Sequence, residues 1–301
     1  MVSVSFDISL LPSLKEGMSI QEETMKRYKT CRFIEEAGRV LKLPRVARST
    51  AMVFFHRFYA KHSFNEHDRF EVAVACIVLA AKTEESPRKL NIVIDECHKL
   101  KVRGMHAGRI SHTAHVPPAK LDPKEPDFIK LKERVLLLER LILHTIGFEL
   151  SIDHPYKFAV EQIGRLVSRR FIEFADSSKT TGMNSTESTK VLMDTMVQGA
   201  MNFVNDSMQT TLCIQFTPEK IATTTVFLSA QFSNVQPKDG KDWMALLGDP
   251  DVDDLVSISS QIIELILDRK GVDVAAYRKI REEVERLKTS AEPDAKRLKT
   301  G

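Results

Sequence analysis

The sequence has no long uncharged apolar stretch. Its longest apolar run is Val72–Ala81, ten residues closed by Lys82, about half of the ~20 that a membrane-spanning helix needs. No membrane contact is therefore expected. The start of the chain also lacks a basic segment followed by an apolar one, so no secretory signal peptide is expected either. Cysteine is scarce, with four residues at 31, 76, 97 and 213 and no Cys-x-x-Cys spacing. That excludes a disulfide framework and points to a reducing compartment, with Cys76 simply buried. Charge of one sign is missing too. Lys plus Arg number 44 against 41 Asp plus Glu, and a net +3 is too small to imply nucleic acid by itself.

Catalytic signatures are equally absent. The 12 glycines are scattered and form no GxGxxG or GxxxxGK phosphate loop. There is no GxSxG elbow, no HExxH and no HRD…DFG set. His106, His112 and His115 sit close together, but no cysteine or acidic residue nearby completes a tetrahedral spacing. Solvated loop histidines are the expected reading, with no metal and no cofactor. Glu84-Glu85 could suggest acid–base work; capping of an exposed helix end is the simpler expectation. The chain is expected not to be an enzyme.

What is present is helical periodicity. The 301 residues are 43% hydrophobic and 28% charged, an ordinary globular composition with a length that suggests two domains. Phe33, Ala37, Val40 and Leu41 repeat at helical spacing up to Pro44, and Ala51, Phe55, Phe58 and Tyr59 mark a second helix. Residues 70–85 predict a third, apolar almost all round, which places it in the middle of a bundle before Pro87 stops it. Leu90, Val93, Ile94, Cys97 and Leu100 mark a fourth, and Leu131, Val135, Leu138, Ile142 and Ile146 a fifth that ends near Gly147. A connector over 100–126, with Gly104, Gly108 and several prolines, is expected as a loop. No convincing strand alternation is found.

A second helical series follows. Asp153 is expected as an N-cap before Pro155, residues 176–189 as a Ser/Thr-rich loop, and helices at 190–211, 219–233 and 251–270. EVAVACIVLAAK (71–82) can be laid on PEKIATTTVFLSAQ (218–231), pairing Leu79 with Leu228 and Lys82 with Gln231. Two related all-helical domains are the inference. After 271, Val274, Tyr277, Ile280, Val284 and Leu287 form a narrow seam on a charged helix, expected to lie on the domain surface.

Two charges stand where a plain core would not put them. Lys82 closes the apolar run, and Glu139 lies between Val135–Leu138 and Leu141–Leu143, on a face shared with Leu136 and Leu143. Buried charge is expensive unless paired. The alternatives are that both snorkel outward, or that they form a polar grip for a partner's backbone.

HRFYAKHSF (56–64), AVACIVLAAKTEESPRKL (73–90) and LLLERLIL (136–143) resemble the first box of cyclins. GFELSIDHP (147–155) resembles the join between boxes, while FVNDSMQTTLCIQFTPEKIA (203–222) and DGKDW (239–243) resemble the second box. The likeness is to transcriptional cyclins of the T and K types, T slightly favoured, and covers roughly 25–270. It implies an all-α fold of two tandem five-helix cyclin boxes with flanking helices. The expected divisions are an N-terminal extension (1–24), a kinase-binding box (25–150), a second box (151–270) and a charged helix with a basic tail (271–301). It also implies an activating subunit of a cyclin-dependent kinase that phosphorylates the C-terminal repeats of RNA polymerase II in the nucleus, promoting elongation. In cyclins a lysine of the AAKxEE motif and a glutamate of the fifth helix grip the kinase, and those positions match Lys82 and Glu139. Phe55 and Tyr59 could join that interface or the core. Lys101, Arg103 and Arg109 could reach a phosphate or an acidic regulator.

The run Cys31-Arg32-Phe33-Ile34-Glu35 departs from the docking helix of cell-cycle cyclins by placing a glutamate where a leucine is usual, so a similar apolar docking groove is not expected. The tail motif PDAKRLK (293–299) resembles a monopartite nuclear localisation signal through Lys296, Arg297 and Lys299. The rival readings are a cyclin-fold general initiation factor on promoter DNA and a helical interaction scaffold. The first would call for a basic core and a cysteine-rich zinc ribbon, so no sequence-specific DNA binding is expected.

Overall fold

The computed structural model describes residues 6–107, 122–269 and 271–297. These residues are helical almost throughout and divide into two compact units between Ile152 and Asp153.

In the first unit a single turn, α1 (Pro12–Lys15), precedes five long helices: α2 (Ile20–Val40), α3 (Arg45–Phe58), α4 (Arg69–Thr83), α5 (Leu90–Ala107) and α6 (Pro126–Thr145). Helix starts are set by side chains that absorb otherwise unpaired amides. Ser19 accepts from Glu22 N at 3.2 Å at the head of α2, and Asp68 Oδ1 accepts from Phe70 N and Glu71 N at 3.0 Å each at the head of α4. Helix α4 is the centre of the bundle. Every residue from Val72 to Ala81 is buried, and α2, α3, α5 and α6 all pack against it. Its alanines let those neighbours approach, while each buried Val, Leu or Ile contributes roughly 1.5–3 kcal/mol of burial. The chain leaves α4 through Glu85, in the left-handed region at φ 49°, and Arg88 ties that turn to the end of α2 by donating to Leu41 O and Lys42 O at 2.8 and 2.7 Å. Glu84 does more than cap an exposed end, because its carboxylate accepts from the Thr50 hydroxyl at 2.7 Å.

The expected 100–126 loop is shorter than the composition suggested. Helix α5 continues to Ala107 and α6 begins at Pro126, where proline's missing N–H leaves no bond unmade. His112, His115 and Arg109 lie outside the described residues, and His106 is placed only as backbone in α5.

The second unit contains α7 (Pro155–Ser168), α8 (Ser185–Ser207), the single turn α9 (Leu212–Gln215), α10 (Pro218–Ser233), the short α11 (Trp243–Leu247), α12 (Val252–Leu267) and α13 (Val274–Arg297). The cap of α7 is His154, with no side-chain bond, and not the expected Asp153, because Pro155 already occupies the first helical position. The 176–189 segment is not all loop. Asn184 and Glu187 form a reciprocal capping box that starts α8 five residues earlier than expected. Two three-residue strands, β1 (Ile172–Phe174) and β2 (Val235–Pro237), pair antiparallel. They were not expected, because three residues are too few to show a period of two. Helix α10 is the buried centre of this unit, as α4 is of the first. It meets α8 so closely that a Cβ on Gly199 would collide with Ser229 Oγ. Ile280 and Val284 of α13 are buried against the core, with Tyr277 and Leu287 partly buried beside them, so the charged helix lies on the domain with most of its seam inward, while Val274 stays exposed.

Candidate functional site

Lys82 occupies the last turn of α4, and Glu139 the middle of α6, which packs along it. Their side chains meet, with Lys82 Nζ donating to Glu139 Oε1 at 2.6 Å. The pair is lopsided. The lysine side chain is 56% exposed and the glutamate 10%. The expectation that both snorkel outward does not hold: the ammonium reaches solvent while its anchor stays largely inside. An ammonium has three donors and a carboxylate about four acceptor sites, so one mutual bond leaves both groups unsaturated. Because Glu139 fixes Lys82 in place, little further side-chain ordering is needed to engage a backbone carbonyl.

The surroundings suit a protein partner. On α6, Leu136 shares the face of Glu139 and is 37% exposed. Leu136 and the half-buried Leu143 flank Glu139 one turn to either side. Polar donors set among exposed apolar side chains are the composition of an interface centre. Phe55 and Tyr59, by contrast, are fully buried and belong to the core, where Tyr59 stacks on Phe64 with ring centroids 3.9 Å apart. Burial drives the Tyr59 phenol pKa well above the usual tyrosine range.

Sequence reasoning missed a second ion pair, which is wholly buried. Arg27 and Glu23, both 1% exposed, meet at 2.6 Å. Arg27 also donates to His56 O at 3.2 Å and Tyr59 O at 2.9 Å, tying α2 to the end of α3. The i,i+4 spacing was visible in the sequence, but it is the same spacing that solvated helix faces use. Lys101 is helical and not in a loop. It sits 3.5 Å from Asp68 and over the Phe70 ring at 4.8 Å, while Arg103 is exposed.

The 31–35 run, where no such docking groove is expected, borders a cleft. Glu35 turns away to Arg39 and Arg48, at 2.9 and 2.5 Å. Phe33 lines a cleft of about 250 Å³ together with Phe70, Val74, Ile94, Cys97 and Leu131. Its rim carries the Glu71–Arg134 pair at 2.6 Å, and desolvation raises the Glu71 pKa above the usual carboxylate range despite the guanidinium. Of the tail cations, Lys296 and Arg297 are placed only as the backbone end of α13, and Lys299 lies outside the described residues.

Residues 10–151 match the family model described as "Cyclin, N-terminal domain". The chain is 33% identical over 254 residues to Cyclin-T1-3 of Oryza sativa subsp. japonica, covering 84% of this chain and 45% of that protein. It is 30% identical over 298 residues to Cyclin-L1 of Homo sapiens, covering 96% and 49% respectively. The T-type likeness read from the motifs is thus joined by an L-type one that they did not suggest. The chain spans less than half the length of either relative. Among solved structures, a chain of the yeast RNA Pol II CTD kinase CTDK-1 complex has the same fold, with a TM-score of 0.64 at 16% identity over 94% of this chain and 84% of that one.

Proposed function

We infer, from the premise that residues 10–151 are a cyclin N-terminal domain, that this protein is the regulatory subunit of a cyclin-dependent kinase of the transcriptional class. The observation that carries the reading is the Lys82–Glu139 pair, with the lysine half exposed on a face it shares with the partly exposed Leu136. The kinase docks on this face of the first box (25–150), and the second box (151–270) shares the fold without the grip, since Gln231 stands in the place of Lys82. Docking pushes the kinase's C-helix inward, so that its glutamate pairs with the ATP-binding lysine and the activation loop is released. This protein supplies differential binding energy for the active kinase state and no catalytic atom.

The T-type likeness supports a finer reading: the complex phosphorylates the C-terminal repeats of RNA polymerase II and promotes elongation in the nucleus. The test is capture from nuclear extract on the immobilised protein, followed by an assay of the captured kinase on a C-terminal repeat peptide. Recovery of a cyclin-dependent kinase with repeat-directed activity is expected. A captured kinase that ignores the peptide would overturn the substrate, and no kinase at all would overturn the regulatory role.

A further inference from the structure

We propose that His62, Glu66 and His67 form a binding site for a divalent transition metal of the zinc type. They stand in the segment between α3 and α4, and their ligand atoms all lie within 4.8 Å of one another. Two imidazoles and one carboxylate are the donor set that zinc takes in sites with one position left to water.

The hydrogen bonds orient the site. The Thr145 hydroxyl donates to Leu141 O at 2.7 Å, so its oxygen is left to accept from His62 Nε2–H at 3.0 Å. The proton of neutral His62 is therefore on Nε2, and Nδ1 carries a lone pair. That lone pair faces Glu66 Oε2 at 3.7 Å, too far for a hydrogen bond. A cation held between the two would satisfy both. Metal-ligating histidines characteristically hold their other N–H on a fixed acceptor, as Thr145 does here.

Packing holds both rings. The His62 ring stacks on Phe58 at 4.4 Å and 22°, and the His67 ring meets Phe58 edge-on at 5.4 Å. Glu66 Oε2 is steadied by Ser63 N at 3.1 Å, and the segment is tied down by Phe64 N donating to Ser13 Oγ at 2.9 Å. Ligand atoms around a tetrahedral zinc lie about 3.3 Å apart, given bonds of roughly 2.0–2.2 Å. His62 Nδ1 and Glu66 Oε2, at 3.7 Å, are already near that spacing, and the Glu66 side chain is 52% exposed with room to move. Through Thr145 the ion would join this segment to the C-terminal turn of α6, the helix that carries Glu139.

The test is titration of the chelator-treated full chain with Zn²⁺ by calorimetry and with Co²⁺ by its d–d absorption. One ion per chain is expected. His67→Asn removes a ligand and should weaken binding by at least about tenfold. Thr145→Val keeps all three ligands but releases His62, and should weaken it by about 10–100-fold. Joint replacement of His106, His112 and His115 by asparagine should leave affinity unchanged. Equal melting temperatures of the metal-free proteins separate ligand loss from misfolding, and Glu66→Gln, at the most exposed of the three positions, replaces any variant that fails to fold. Absence of saturable one-to-one binding, or binding unchanged by ligand removal, would overturn the site.

Discussion

Replacing Lys82 with alanine strips the partner from a carboxylate that is only 10% exposed. Breaking a buried ion pair costs about 3–5 kcal/mol, and an exposed one about 0.2–1 kcal/mol. Lys82 is 56% exposed, so its loss falls between these limits, at about 1–2 kcal/mol in the free protein. That corresponds to a melting temperature lower by roughly 2–8 °C for a unit of this size. Glu139→Gln leaves the ammonium in water and keeps a hydrogen-bond acceptor of the same shape, so its effect on the free protein should be smaller. Binding to the kinase should respond more steeply. Once docked, the pair loses its water, and removing one member of a desolvated interfacial charge pair costs about 2–5 kcal/mol. At about 1.4 kcal/mol per tenfold, Lys82→Ala and Glu139→Ala should each weaken kinase binding by about 30-fold or more. The assay is kinase affinity measured on the same preparations as the thermal melts, well below the transition. Wild-type affinity in both alanine variants would refute the grip. A loss that merely tracks the unfolded fraction would return the pair to a structural role.

Arg27→Ala leaves Glu23 charged and buried, so the denaturation midpoint should fall by the equivalent of about 3–5 kcal/mol; Glu23→Leu with Arg27→Met should recover much of it, and failure to recover would show that the bonds to His56 and Tyr59 dominate. Asp206 lies 2.8 Å from Arg269, yet burial raises its pKa above the ordinary 3.8 in spite of that guanidinium. The folded state therefore holds this proton more tightly than the unfolded chain. Its contribution favours folding below the unfolded pKa and is lost as pH rises through the folded one. The stability of Asp206→Asn relative to wild type should thus improve from acid to neutral pH in paired melts, and the opposite trend would show that the ion pair outweighs burial. Changing Lys296, Arg297 and Lys299 to alanine should reduce nuclear accumulation of a fluorescent fusion in kinase-depleted cells, and an unchanged distribution would remove the tail as the import signal.

The helical class and the centre of the first unit were legible in the sequence because both depend on local order. Ten consecutive apolar residues from Val72 to Ala81 leave α4 no solvent face wherever the chain goes. The same local logic placed Lys82 and Glu139 on two strongly apolar helices. Which of the two reaches water depends on the crossing of α4 and α6, and only the tertiary structure decided it: lysine out, glutamate in. Helix ends were less legible, since capping depends on backbone angles as much as residue type. Asp153 looked like the cap of α7, and Asn184 with Glu187 supplied an unremarked one for α8. The pair β1 and β2 joins residues more than sixty positions apart, and three-residue strands carry no periodicity to announce it. Burial of Arg27 with Glu23, the cleft beside Phe33, and the meeting of His62 with Thr145 are likewise decisions of packing. A charged or polar side chain has the same local preferences whether its partner is water or another residue, and only the assembled neighbours determine which it finds.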